Sequence, residues 1–195
     1  HVTGLAEWSR VPVINGLSDD YHPCQAMADM LTIYEHFGRL EGLKVAYIGD
    51  GNNVAASLLY ACAHFGCEFA IATPEGYELP QTVREIAAPL VEKNGIPVTE
   101  SVHIGQAIEN ADVLYTDTWI SMGQEDEAVE RRQQFDGYQV NTELLAKTSK
   151  AETIVLHCLP AHRGEEITDE VMDGRQSAVF QQAENRLHAQ KAILV

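Results

Sequence analysis

The chain has 195 residues, which suits one large domain or one domain plus part of another. Hydrophobic residues make up 45% and charged ones 22%, enough for a buried core, and the formal net charge of -16 argues against general affinity for nucleic acid or anionic membrane surfaces. No run approaches the roughly 20 apolar residues that span a bilayer, no signal peptide is visible, and four cysteines without CxxC spacing suit a reduced, intracellular, cytoplasmic setting.

The chain begins at His1 rather than Met, as expected of a processed or truncated product. Apolar β-type runs then alternate with helical patterns. The first predicted strand, Val11–Asn15, leads into "GLSDDYHPCQ" and a predicted helix over His22–Phe37. Pro23 falls in that helix's first turn, where its missing N–H costs little. His22 and Gln25, three residues apart, can face one side at the positive end of the helix and suit a carbonyl oxygen or an anion. The plainer alternative is a capping or packing histidine.

A strand over Lys44–Gly49 follows, then "GDGNN" and a helix over Asn53–Phe65. A dinucleotide loop needs G-x-G-x-x-G, and here Gly49 and Gly51 are followed by Val54 in the third glycine's place. No acidic residue ends the next strand, Glu68–Thr73, so a nicotinamide cofactor is disfavoured and none is expected. Asn52 can cap the helix, or an asparagine here can bond a ligand's carboxylate or amine. Cys62 and Cys67 read as structural.

Helices over Pro80–Lys93 and Gly105–Glu109 precede a strand at Asp112–Thr116, which delivers "DTWISMG". Asp117 there can hold an ammonium group, while Ser121 and the turn's N–H groups can bond a ligand's polar end. The alternative is an aspartate that caps the turn, with Trp119 and Met122 as core. Polar helices at Glu127–Phe135 and Thr142–Lys147 lead to the strand Thr153–Leu159, which carries "HCLP". Adjacent strand residues point to opposite faces, so Cys158 is expected to face the crevice while His157 packs behind. His157, Cys158 and His162 lie too close in sequence to build a tetrahedral zinc site unaided, and His36, His64, His103 and His188 show no ligand spacing; no metal site is assigned. A short strand at Ala178–Gln181 and a helix over Glu184–Leu194 close the chain, and the helix sets Arg186 in its first turns.

Near-continuously apolar strands interleaved with helices predict an α/β fold: a parallel β-sheet flanked by helices on both faces. In such sheets ligands bind beyond the carboxyl ends of the strands. The polar residues after four predicted strands would then meet in one crevice.

In this order, "HPCQ", "GDGNN", "DTWISMG", "HCLP" and "AENRLHAQ" resemble the ornithine carbamoyltransferases, from about Val2 to the end of the chain. The resemblance implies a Rossmann-like fold of that superfamily. It also implies transfer of a carbamoyl group from carbamoyl phosphate to L-ornithine, giving L-citrulline and phosphate. By the resemblance, His22, Gln25, Cys158, Leu159 and Arg186 would bind the carbamoyl phosphate. Asn53, Asp117, Ser121 and Met122 would hold ornithine, with Asp117 and Cys158 as the catalytic pair. Residues 1–37 would be the end of a carbamoyl-phosphate domain with an inter-domain helix. Residues 38–180 would bind ornithine, and 181–195 would return toward the first domain. A trimer, or a multiple of trimers, is the family expectation. The Ser-Thr-Arg-Thr loop with which the family grips phosphate does not occur in the sequence, so little turnover is expected of this chain alone. Two alternatives stay open: a non-catalytic amino-acid-binding module derived from a transcarbamoylase, and a nucleotide-dependent oxidoreductase with an irregular glycine loop.

Overall fold

The computed structural model describes residues 1–121 and 123–195. In chain order the elements are α1 Val2–Trp8, α2 Pro23–Phe37, β1 Lys44–Ile48, α3 Asn53–Phe65, β2 Glu68–Ala72, α4 Gln81–Asn94, β3 Val98–Ser101, α5 Ile104–Ile108, β4 Val113–Thr116, α6 Ala128–Gln134, α7 Thr142–Ala146, β5 Ile154–His157, α8 Asp169–Met172 and α9 Val179–Leu194. A single 3-10 turn spans Glu125–Glu127.

The five strands form one parallel sheet in the order β3-β2-β1-β4-β5. The order reverses between β1 and β4, and a crevice opens at such a switch point. β4 and β5 are buried along their whole length, as expected of parallel strands covered on both faces. Alternation along β1 divides the core. Val45 and Tyr47 join a cluster with α2, α3 and α4 residues such as Ile33, Leu58 and Val83. Ala46 and Ile48 join the opposite cluster with Ile108, Leu144, Val155 and Met172.

Local chemistry sets the helix ends near the crevice. Pro23 occupies the first turn of α2, and Gly38 ends that helix in the left-handed region at φ 69°. Asn52 caps α3 by accepting from the backbone N–H groups of Val54 and Ala55. Asn141 caps α7 by accepting from Leu144 N–H.

Two predicted strands are absent. Residues 11–15 belong to no strand: Val11 is 70% exposed and Pro12 lacks a donor, so the segment has no ladder to join. The one isolated bridge there, Val155 to Ser177, lies just before residues 178–181, and Val179 already begins α9. Buried Val179, Gln182, Asn185 and Ala189 recur at helical spacing, which starts that helix five residues earlier than its apolar pattern suggests. The predicted strand Thr153–Leu159 stops at His157, because Leu159 turns into the left-handed region at φ 59°. The helix start expected at Asp169 after Thr168 is present as the single turn of α8, whereas β3 and α1 have no counterpart in the predicted elements. β3 is a short edge strand whose residues are only partly buried.

Candidate active site

Three strand ends meet at the switch point. β1 runs into Gly49 and Asp50, β4 into Asp117, and β5 into Cys158. Asp117 is buried and sits at the centre. Its Oδ1 accepts the Cys158 thiol at 2.9 Å, and its Oδ2 accepts Asn52 Nδ2 at 2.8 Å. Tyr47 Oη donates to Asn52 Oδ1 at 3.3 Å, the oxygen that also caps α3. One asparagine therefore ties the helix start to the carboxylate. Burial, with the Asp117 charge beside it, pushes the Cys158 thiol well above its usual range, so the sulfur keeps its proton at neutral pH.

His157 does not act on Cys158. Its Nε2 bonds Glu166 Oε1 at 3.0 Å, and its Nδ1 accepts Leu159 N–H at 2.9 Å. One donor atom each from Asp117, His157 and Cys158 lie within 4.8 Å of one another, yet those of Asp117 and Cys158 are joined by their own bond and both His157 nitrogens are engaged elsewhere. The Leu159 N–H is likewise spent on His157.

A second cluster forms where α2 and α9 pack together. Arg186 Nη1 donates to Gln25 Oε1 at 2.9 Å, and its Nη2 to Gly16 O at 3.1 Å; its Nε is buried without a partner among the described residues. His22 Nδ1 lies 3.0 Å from Gly16 O, an acceptor, which fixes the proton on Nδ1. Burial and then the Arg186 charge lower the His22 pKa below 6.5, so the ring is neutral near pH 7. Behind Gln25, its Nε2 donates to buried Asp29 Oδ1 at 2.8 Å, and Gln182 Nε2 reaches the same oxygen at 2.7 Å.

The other expected residues lie around these clusters. Asn53 Nδ2 donates to Ser18 O at 2.8 Å, so it tethers the segment that leads into α2. Among the described residues the Ser121 backbone bonds its own turn, through Gln124. Met122 lies outside the described residues. The loop holding Ser121 is anchored by Arg131, whose Nη1 donates to Asp50 Oδ2 at 2.8 Å and to Trp119 O at 3.0 Å.

The glycine loop does not form a dinucleotide cradle. A Cβ on Gly51 would lie 2.5 Å from the backbone of Glu78 and Leu79, and Gly51 N–H donates to Tyr77 O at 2.8 Å. The protein's own chain fills the close approach that a pyrophosphate would need. A separate apolar groove of about 640 Å³, lined by Tyr21, Met27, Tyr60 and Phe65, lies between α2 and α3 away from Asp117.

Sequence reasoning passed over Asp29, Gln182 and the second role of Asn52. Asp29 stands four residues after Gln25 on one helix face, a spacing that could have revealed it. Gln182 carried no such signal, because the pairing crosses 153 residues.

Comparison with known proteins bears on the family and the fold. The family profile described as aspartate/ornithine carbamoyltransferase, Asp/Orn binding domain, matches residues 41–195. The carbamoyl-P binding domain of the same family matches residues 1–35. The chain is 54% identical over 194 residues to the ornithine carbamoyltransferase of Caldicellulosiruptor saccharolyticus, covering 100% of this chain and 63% of that protein. It is 54% identical over 193 residues to that of Bacillus subtilis, covering 99% of this chain and 60% of that one. The solved ornithine carbamoyltransferase of Pyrococcus furiosus superposes with a TM-score of 0.94 at 52% identity, over 99% of this chain and 61% of the other. The chain thus spans about three-fifths of the length of the curated relatives it matches.

Proposed function

The chain belongs to the aspartate/ornithine carbamoyltransferase family, and from that premise we propose that it forms the ornithine-binding part of an ornithine carbamoyltransferase. In the reaction, the δ-amine of L-ornithine attacks the carbamoyl carbon of carbamoyl phosphate. The carbon–oxygen bond to phosphate breaks, the amine loses a proton, and L-citrulline and phosphate leave.

The observation that carries this reading is the buried Asp117, held between the Cys158 thiol and the Asn52 amide at the switch point. A buried carboxylate with neutral donors on both oxygens is suited to receive an ammonium, because among the described residues no cation bonds it. Cys158 is read as an orienting donor beside the δ-amine. Its raised pKa argues against a thiolate base, which leaves Asp117 as the better proton acceptor of the pair. Arg186, with an uncommitted buried Nε, faces the carbamoyl oxygen as charge develops there. Neutral His22, with its proton on Nδ1, offers a bare Nε2, and it donates toward that oxygen only when protonated. Asn53, Ser121 and Met122 are assigned to the α-amino and carboxylate end of ornithine, and Leu159 with Gln25 to the carbamoyl group.

We read residues 1–37 as the end of a carbamoyl-phosphate domain with its connecting helix, 38–180 as the ornithine-binding domain, and 181–195 as a helix returning to the first. A trimeric, cytoplasmic enzyme of arginine and amino-acid biosynthesis is the setting proposed for the whole protein. No helix among the described residues is long and apolar enough to cross a membrane.

Calorimetry with ornithine, putrescine and aspartate tests the reading. Ornithine is expected to bind at least about tenfold more tightly than the other two, which is about 1.4 kcal/mol. Putrescine keeps both amines and lacks only the carboxylate, so equal affinity for ornithine and putrescine would remove Ser121 from the proposed ornithine site. Equal affinity for ornithine and aspartate, which has no δ-amine, would remove Asp117.

A further inference from the structure

Asp29 has no part in the reading above, yet it is the node of the α2–α9 contact. It is fully buried, as are Gln182 and, nearly so, Gln25. Its Oδ1 takes two amide donors, Gln25 Nε2 at 2.8 Å and Gln182 Nε2 at 2.7 Å. Its Oδ2 is buried without a partner among the described residues. Burial pushes the carboxyl up to about 7, against the pull of Gln25, Gln182, Tyr115 and Arg186. Those groups, with the thiols of Cys62 and Cys158, are the ones that face it. Whether Oδ2 carries a proton or not, Oδ1 remains an acceptor.

That acceptor decides which way the Gln25 amide faces. The NH2 is committed inward to Asp29, so Oε1 points outward, where it accepts Arg186 Nη1 at 2.9 Å. Arg186 enforces the same orientation for now. Once Arg186 turns to a ligand oxygen, Asp29 alone keeps the amide from flipping. An outward Oε1 has a second lone pair and no proton to give, so it matches an NH2 on the ligand. A methyl group in the same place leaves that buried oxygen unpaired, which is costly. The same Asp29 also sets Gln182, whose Oε1 accepts His157 N–H at 2.9 Å, at the last residue before Cys158.

We propose that Asp29 is a positioning residue that turns the Gln25 amide to present an acceptor oxygen, and so selects a carbamoyl or ureido NH2 over a methyl group. The inference rests on the carbamoyltransferase reading.

The test compares citrulline with Nδ-acetylornithine, which differs only in CH3 for NH2, with ornithine as a control, by calorimetry on this chain. The wild type is expected to prefer citrulline at least tenfold. Asp29→Ala removes the acceptor and should bring that ratio to within threefold of one while leaving ornithine affinity within threefold of wild type. Asp29→Asn keeps an acceptor oxygen and should restore the preference. A merely structural role would weaken all three ligands together. An unchanged ratio in Asp29→Ala, or no preference in the wild type, overturns the inference while ornithine binding leaves the function standing. Loss of ornithine binding by the wild-type chain removes both. If Asp29→Ala does not fold, the wild-type Gln25 side-chain NH2 is followed by NMR. Protons slow to exchange with water, and still so with citrulline bound, support the assignment, and freely exchanging ones overturn it.

Discussion

Cys158 is half-buried and Asp29 fully buried; both are acids that hold their protons unusually tightly, and each leaves a measurable trace. The Cys158 thiol is raised by burial first and by the Asp117 charge second. Its alkylation by iodoacetamide at pH 7.5 should therefore run at least tenfold slower than that of an unfolded cysteine, whose pKa is about 8.5. Asp117→Asn removes the neighbouring charge and should speed the reaction, with the labelled residue located by mass spectrometry. Equal rates in the two proteins would mean that Asp117 does not govern the thiol. For Asp29 the folded pKa, about 7, lies above the unfolded value of about 3.9. Its contribution to stability is thus fully present below pH 4 and is lost as pH rises through 7. Urea titrations at pH 5 and pH 8 should show that Asp29→Asn flattens this loss. A slope as steep as wild type would place the titration elsewhere.

At the level of elements, the turn between β1 and α3 is held by close approach as much as by hydrogen bonds. Gly51→Ala puts a Cβ against backbone atoms of Glu78 and Leu79 that have no rotamer to change. It should destabilise the chain by about 1–3 kcal/mol in urea unfolding, the range for overpacked sites. A loss under about 0.5 kcal/mol would show that the 77–79 segment yields. The same turn illustrates what the sequence could convey. Proline and glycine punctuation and apolar runs located β1, α3, β2 and β4 closely, because those signals are local and both faces of the sheet are covered. "GDGNN" was legible as a strand–helix turn with Asn52 as its cap, but the approach of residues 77–79 and the reach of Asn52 to Asp117 are tertiary facts. Val11–Asn15 failed for the converse reason: its composition suits a strand, but strand formation depends on a neighbour that composition does not name. His22, Gln25 and Arg186 stand out through family motifs and lie together where α2 meets α9, whereas the Asp29 behind them is an ordinary-looking residue in mid-helix.

For the molecule as a whole, the residues assigned to ornithine and those assigned to the carbamoyl group both lie within this chain, while no phosphate-gripping loop does. The purified chain should bind ornithine yet form citrulline no faster than the uncatalysed background in a colorimetric assay. Clear turnover would contradict the division of labour proposed here. The packing of α2 on α9 adds a constraint of another kind. The bonds from Gln25 to Arg186 and from Asp29 to Gln182 join residues 161 and 153 positions apart. Closing so long a loop costs chain entropy before any contact rewards it, and such contacts slow folding. During synthesis, α9 leaves the ribosome after every strand of the sheet. The Gln25–Arg186 and Asp29–Gln182 cluster proposed to meet the carbamoyl group therefore cannot exist on a nascent or C-terminally clipped chain, however well the sheet has formed, and its appearance reports that the polypeptide is whole through α9.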